Sequence, residues 1–311
     1  MINQILLSIC IPTNGAVQWI LPVLDSIYAQ NCDLSKFEVI ITDNGKDSKI
    51  SDYLPRYNYP NLRYIPTTDE GFLNLVTSLK EGKALFCKML NHRSVLLPGT
   101  ISDWLAMIEK YKESQPIIYC SDGQVKGPDV IECQDMDQFL QNLSYWASWS
   151  AGIGFWKKDM DQIGRIHLDQ MFPNASLLFN VRKDSQYVIW NKKYEQMSDD
   201  AGKGGYDLFD TFAVHFLDLI KELRDAQRIS NETFEVIRKD LFGLLVKLYK
   251  NEKVLPTKHT FILNNIKKSM KVYYGISGYY RMVLKAYLLA PIDICFAAAS
   301  KIKRIFLPVI I

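Results

Sequence analysis

Short functional signatures are scarce in this chain of 311 residues, and each missing one removes a class of function. Its six cysteines (Cys10, Cys32, Cys87, Cys120, Cys133, Cys295) show no C-x-x-C spacing, so the usual local sign of a metal or thiol-redox site is lacking. Cys10 and Cys87 fall inside apolar runs and are expected to be small buried hydrophobes, which suits a reducing cytoplasm. No G-x-G-x-x-G occurs. Gly152-x-Gly154 lacks the third glycine and a clear helix after it, which argues against a dinucleotide fingerprint. The start of the chain has no basic segment and no small-residue cleavage site, so no secretory leader is expected. Charged residues make up 23% and hydrophobic ones 48%, proportions of a globular rather than a disordered protein.

Paired strand patterns are what the chain does have. Leu6–Thr13 reads LLSICIPT and Phe37–Gly45 reads FEVIITDNG. Each is a short, β-branched and apolar run, the mark of a strand buried on both faces, and each stops on small polar residues. In an open α/β sheet, ligands bind at the carboxyl ends of the strands. A Pro12-Thr13 turn beside an Asp43-Asn44 turn can grip a nucleobase, with backbone groups from one and a carboxylate accepting a base proton from the other. The same residues equally suit an ordinary buried strand pair with Asp43 as a helix N-cap.

Between these strands, Val17–Gln30 is helix-periodic, with Trp19, Ile20, Val23, Leu24 and Ile27 on one side. Pro22 places the expected start of that helix near itself, because proline suits a first turn. Strand, helix and strand form one βαβ unit. Arg63–Pro66 is expected as a third strand, Gly71–Lys80 as a helix and Ala84–Leu90 as a fourth strand. Further on, the pattern predicts helices over Ile101–Lys112 and Met136–Leu143, and strands over Pro116–Ser121 and Gln186–Tyr194.

The series LSICIPT, LDSIYAQ, FEVIITDNG, EGFLNL and LLPGT resembles the family 2 glycosyltransferases with the GT-A fold, in particular the O-antigen type that includes abequosyltransferases. The likeness covers roughly residues 5 to 215. It implies an α/β fold of GT-A type, a Rossmann-like mixed sheet flanked by helices. The implied activity is transfer of a sugar from a nucleoside-diphosphate donor to a glycan or lipid-linked acceptor. By resemblance, Pro12, Thr13, Asp43, Asn44, Gly71 and Asn74 line the nucleotide sugar, with His92 and Arg93 near its diphosphate.

Two departures stand out. Such enzymes carry an acidic Asp-x-Asp-like cluster before a Leu-x-Pro-Gly turn, where it binds Mg²⁺ or Mn²⁺; here that stretch is Asn91-His92-Arg93-Ser94. Hard divalent cations want several oxygen ligands, usually one or two of them carboxylates, so no metal ligand is assigned. Arg93 can neutralise a leaving diphosphate instead, or it is a solvated loop arginine. The second departure concerns the acceptor's proton. The Phe172-Pro173-Asn174 step has an asparagine where such enzymes often carry an acid or histidine, which leaves Asp169, Asp199 and Asp200 as candidate bases or as plain loop acids. Trp146, Trp149 and Asn174 are candidates for the acceptor side, with core packing the competing role for the tryptophans.

The C-terminal region differs in character. Phe209–Asp225 and Thr233–Leu248 are amphipathic, and residues 267–311 hold eight basic residues against one acid, Asp293. No uncharged run there reaches the roughly 18 to 20 residues of a spanning helix. Cationic, apolar and tyrosine-rich, the segment suits an anionic membrane surface better than nucleic acid, and a buried partner helix is the alternative. The expected organisation is a GT-A-like domain over 1–215 and a helical, basic, amphipathic region over 216–311, peripheral on the inner face of a plasma membrane. A catalytically silent binding or scaffolding subunit on the same fold is the second expectation, since the acidic cluster is missing.

Overall fold

The structure, a computed structural model, describes residues 4–197 and 202–306, and side chains as far as Pro291. Half of its main sheet is parallel: β1 (Leu7–Thr13), β2 (Phe37–Asp43), β3 (Leu62–Pro66) and β4 (Phe86–Met89). After β5 (Ser94–Leu96) come the strands of the mixed half, β6 (Ile117–Cys120), β7 (Val130–Cys133), β8 (Ile153–Trp156) and β9 (Tyr187–Trp190). The eight-stranded order is β3-β2-β1-β4-β8-β6-β9-β7. From β1 the chain moves outward through β2 and β3 and then returns to the other side of β1 as β4, so the topological switch lies at β1.

Every residue of β2 is buried, because helices cover both faces of the sheet. On one face Ile9, Ile11, Val39 and Ile41 pack with Ile20, Val23, Leu24 and Ile27 of the helix Val17–Tyr28, and with Trp104 and Ile108 of the helix Thr100–Tyr111. Burying each such side chain is worth about 1.5–3 kcal/mol. The first helix begins at Val17, not near Pro22 as its proline implied. Pro22 lies on the exposed side with Gln18, where water can bond the carbonyl that the missing N–H leaves unpaired.

Strand β8 runs antiparallel to both of its neighbours. The segment before it, residues 144–152, therefore lies at the same sheet edge as the carboxyl ends of β1, β2, β4 and β6. Gly152 and Gly154 serve this packing: a Cβ at Gly152 would stand 2.1 Å from the Tyr119 ring, and one at Gly154 2.4 Å from the Phe86 ring. A two-stranded ribbon pairs β5 with β10 (Glu195–Met197), and Asn91–Arg93 form the turn that leads into it.

Contacts divide the described residues into two compact units, 4–197 with 219–237 and 202–218 with 238–306. The expected boundary at 215/216 falls inside a segment of the second unit. That unit contains the parallel pair β11 (Gly204–Asp207) and β12 (Thr260–Ile262) and the helix Ile266–Phe306. This helix is broken at Gly275 (φ 65°, ψ 177°). Within the helix expected over Phe209–Asp225, Thr211–Phe216 is wound as a π-helix.

Candidate functional site

Thr13 stands beside Asp43 at the carboxyl ends of β1 and β2. Two asparagines tie these ends together. Asn74, buried at the start of the helix Asn74–Lys80, donates to the carbonyls of Thr13 (3.1 Å) and Thr42 (2.9 Å) and accepts from the Thr67 hydroxyl (3.0 Å). Asn44 donates its side-chain amide to the carbonyls of Asp69 (2.9 Å) and Gly71 (3.1 Å), and its backbone N–H to that of Thr13 (3.1 Å). The Asp43 carboxylate accepts from the Gly45 N–H (2.9 Å), the Tyr64 hydroxyl (2.9 Å) and the Ser48 hydroxyl. A carboxylate offers about four acceptor positions, so one on Oδ1 is left for a ligand. At Gly45 a Cβ would come 2.5 Å from the Asn14 carbonyl oxygen, so the two loops approach as closely as glycine allows. Gly71 (φ +52°) is exposed at the start of the short 3-10 turn Gly71–Leu73, and Pro12 is half-buried.

Around this lattice, Thr13 Oγ1, His92 Nδ1 and Asp69 Oδ2 are buried without a hydrogen-bond partner among the described residues. A buried polar atom left unbonded costs about 1–3 kcal/mol, which a ligand can recover. Burial, reinforced by the Arg93 charge and opposed by Asp43 and the Pro12 backbone, lowers the His92 pKa to about 4. The imidazole is neutral at pH 7. Arg93 follows it, with its guanidinium carbon 4.1 Å from the centre of the Trp19 ring and its backbone N–H donating to Asn91 Oδ1 (3.0 Å). Trp19 is in the first turn of the helix that follows β1. The structure thus brings Pro12, Thr13, Asp43, Asn44, Asn74, His92 and Arg93 to one crevice.

The donor set at 91–94 does not fit Mg²⁺ or Mn²⁺. Asn91, His92, Arg93 and Ser94 supply an amide, an imidazole, a guanidinium and a hydroxyl, without a carboxylate. Among the described residues no three His, Cys, Asp or Glu converge as a metal cage.

Across the same edge, Trp146 and Trp149 are half-buried and meet edge to face, 6.3 Å between centroids, and Trp149 stacks on Tyr194 at 6.4 Å. Asn174, in the first turn of the helix Pro173–Asn180, is buried and donates to the Ser148 carbonyl (3.1 Å), between the two tryptophans in sequence. Asp169 Oδ1 accepts from the N–H groups of Met171 and Phe172, both at 2.8 Å, the geometry of a turn that feeds this helix. Asp199 and Asp200 lie outside the described residues.

Sequence reasoning missed a buried charge cluster beside the aromatic side. Lys88 of β4 is fully buried; its Nζ donates to the carbonyls of Met89 (2.7 Å) and Ala151 and lies over the rings of Trp104 (5.3 Å) and Tyr194 (5.1 Å). Burial lowers its pKa, against the charges of Cys120, Glu195 and Asp122. Asp122 Oδ1 accepts from the N–H groups of Tyr194 (2.7 Å) and Glu195 (3.0 Å). Burial raises the Glu195 pKa from 4.5 to about 7, with the Ser94 hydroxyl and Lys88 opposing, and its Oε2 is buried without a partner among the described residues. A lone lysine within the apolar run ALFCKML was the available signal for Lys88. Glu195 carried none.

No family model matches the chain. The abequosyltransferase RfbV of Salmonella typhimurium is similar at 27% identity over 135 residues, which are 42% of this chain and 39% of that protein. The chain thus matches about two fifths of that relative's length. Among solved structures, S. aureus TarS 1–349 in complex with UDP-GlcNAc is similar at a TM-score of 0.57 and 14% identity, covering 91% of this chain and 82% of that one. The mannosyltransferase PcManGT from Pyrobaculum calidifontis, in complex with GDP-Man and Mn²⁺, is similar at a TM-score of 0.55 and 13% identity, covering 93% and 88%. At such identities the likeness establishes the fold, a GT-A-type α/β sheet flanked by helices.

Proposed function

We propose that the chain transfers a sugar from a nucleoside-diphosphate donor to a glycan or lipid-linked glycan in the assembly of a bacterial surface polysaccharide, an O-antigen or a capsule. The observation that carries this reading is the crevice at the switch of β1, with buried polar atoms of Thr13, His92 and Asp69 unbonded around an Asp43 carboxylate that keeps one acceptor position. Folded relatives whose structures hold UDP-GlcNAc or GDP-Man support it.

In the proposed reaction, an acceptor hydroxyl oxygen bonds to the anomeric carbon while the bond from that carbon to the diphosphate oxygen breaks. Negative charge grows on the leaving diphosphate, and Arg93 is our candidate for the cation that takes it; its position over the Trp19 ring, 4.1 Å from the centroid, supports that role. No step is assigned to a metal ion, because the donor set at 91–94 does not suit one. The acceptor's proton passes to a base. Glu195 is our candidate, since its affinity for a proton sits near neutrality, whereas Asp169 already holds two backbone N–H groups. Trp146 and Trp149 offer aromatic faces to the acceptor sugar. With a lipid-linked acceptor, the enzyme works at the inner face of the plasma membrane.

A thermal-shift series with UDP, GDP, CDP and dTDP, in EDTA and again with Mn²⁺, tests the reading. A ligand at a hundred times its dissociation constant adds about 2.7 kcal/mol, a shift of roughly 2 °C or more for a domain of this size. We expect one nucleoside diphosphate to stabilise the protein equally in EDTA. Nucleotide binding without any transfer to lipid-linked acceptors would favour a second reading, a donor-binding or scaffolding subunit; the carboxylate-free turn at 91–94 is the observation behind it. Absence of a shift with all four overturns the donor site.

A further inference from the structure

The second unit carries a surface that the transfer chemistry does not use. Beyond the break at Gly275, the helix buries Gly278, Met282, Ala286 and Ala290, spaced four apart. On another side it shows Ile276, Tyr280, Leu284, Tyr287 and Leu288, each between 43% and 65% exposed. At about 100° per residue these five fall within an arc of about 120°, a continuous apolar stripe. Arg281 and Lys285, both exposed, run along one border of it.

Next to the end of this stripe is a cleft of about 440 Å³, lined by Asn264, Asn265, Lys267, Lys268, Lys271 and Ile276. Lys267 is held there by Tyr280, whose hydroxyl it meets at 3.3 Å. Lys268 and Lys271 are exposed. Three lysines and two amides thus line the cleft, and Ile276 belongs both to it and to the apolar stripe. No helix among the described residues is long and apolar enough to cross a membrane.

We propose that this face lies in the headgroup layer of an anionic phospholipid bilayer, with a lipid phosphate in the Lys267–Lys268–Lys271 cleft and the stripe Ile276–Leu288 against the acyl boundary. Charge complementarity chooses the occupant: a protein groove could cover the stripe, but the cationic cleft and the bordering Arg281 and Lys285 want an anionic plane. Tyr280 and Tyr287 suit that depth, their rings in the apolar layer and their hydroxyls at the headgroups. This inference rests on the membrane side of the proposed function and on none of its chemistry. The side chains of Lys301, Lys303 and Arg304 in the basic segment lie outside the described residues.

The test is cosedimentation of the full chain with phosphatidylcholine vesicles, with and without one third phosphatidylglycerol, at low and high salt. Binding should require the anionic lipid and weaken with salt. Lys268→Glu with Lys271→Glu should lower the affinity by roughly thirtyfold or more, since each lysine removed costs about 1 kcal/mol and about 1.4 kcal/mol is tenfold. Leu284→Ser with Leu288→Ser should abolish retention at high salt while the melting temperature and the nucleotide-induced shift stay as in the parent. Equal binding to neutral vesicles overturns the cleft's role. Unchanged binding by the stripe variant overturns the stripe's role. If the parent is a dimer that the stripe variant turns into a monomer, a second copy is the occupant and the membrane proposal fails. Loss of the nucleotide shift alone would count against the transferase reading and leave this one standing.

Discussion

The crevice at the ends of β1 and β2 and the buried cluster of Lys88, Asp122 and Glu195 share one sheet edge but solve the burial of polar groups in opposite ways. At the crevice, Asn74, Asn44 and Asp43 are bonded to neighbouring backbone and hydroxyl groups, so geometry is locked by folding and only a few atoms remain for a ligand. At the cluster, Lys88 and Glu195 are charges held away from water, and burial moves their proton affinities. Neutral amides suit a frame because their bonds do not change with pH. Buried ionisable groups suit proton handling because small changes in surroundings move their pKa.

Breaking the frame should have the largest effect. Asn74→Ala removes three hydrogen bonds at a buried position, and we expect a loss of about 2–5 kcal/mol, read from urea denaturation, together with loss of the nucleotide-induced shift. A change within about 0.5 kcal/mol would mean that the strand ends hold without the latch.

Acidification separates the two regions by sign. His92 binds its proton less readily folded (pKa about 4) than unfolded (about 6.5), so its contribution to stability is present above pH 6.5 and is lost as pH falls toward 4. Glu195 binds its proton more readily folded (about 7) than unfolded (4.5), so its contribution is present below pH 4.5 and is lost as pH rises through 7. The slopes oppose each other between pH 4.5 and 6.5, each worth up to about 3 kcal/mol over its full range. His92→Asn should therefore gain stability relative to the parent on acidification over this window, and Glu195→Gln should lose it. Parallel curves for both variants would remove the distinction drawn here. In a transfer assay, Glu195→Gln should also remove the basic-going rise of kcat near pH 7.

The smallest effect is at the border between the regions. Arg93→Ala should weaken nucleoside-diphosphate binding by about 10- to 100-fold, the worth of a charge-assisted contact, and leave nucleoside binding unchanged. Trp19→Ala should cost only a few-fold, since a partly exposed cation–π contact is worth about 0.5–1 kcal/mol. Titration calorimetry with UDP and uridine, or the base identified by thermal shift, reads both.

Much of the crevice was legible because its parts are local. The runs ICIPT and IITDN announce strands that end on polar turns, and their spacing permits one helix between them, so parallel pairing and the meeting of Thr13 with Asp43 follow. Pro22 misled, because a proline on the solvent side of a helix forfeits only a bond that water replaces. Asn74 was expected at the donor, and its latch on the Thr13 and Thr42 carbonyls could not be read beforehand, because it depends on where two carbonyls point. Asp43, likewise, is partly occupied by Tyr64, a residue of the next strand.

The chain's own order of apolar and polar residues therefore decided the strands, their parallel pairing and the absence of a carboxylate at 91–94, because each depends on neighbours a few residues apart or on one βαβ connection. Tertiary structure alone decided that Lys88, Asp122 and Glu195 share a buried cluster, that Arg93 lies over Trp19, and that the stripe from Ile276 to Leu288 is exposed among the described residues. These depend on contacts between elements tens to more than a hundred residues apart, and on desolvation, which is a property of the packed molecule and of no segment within it.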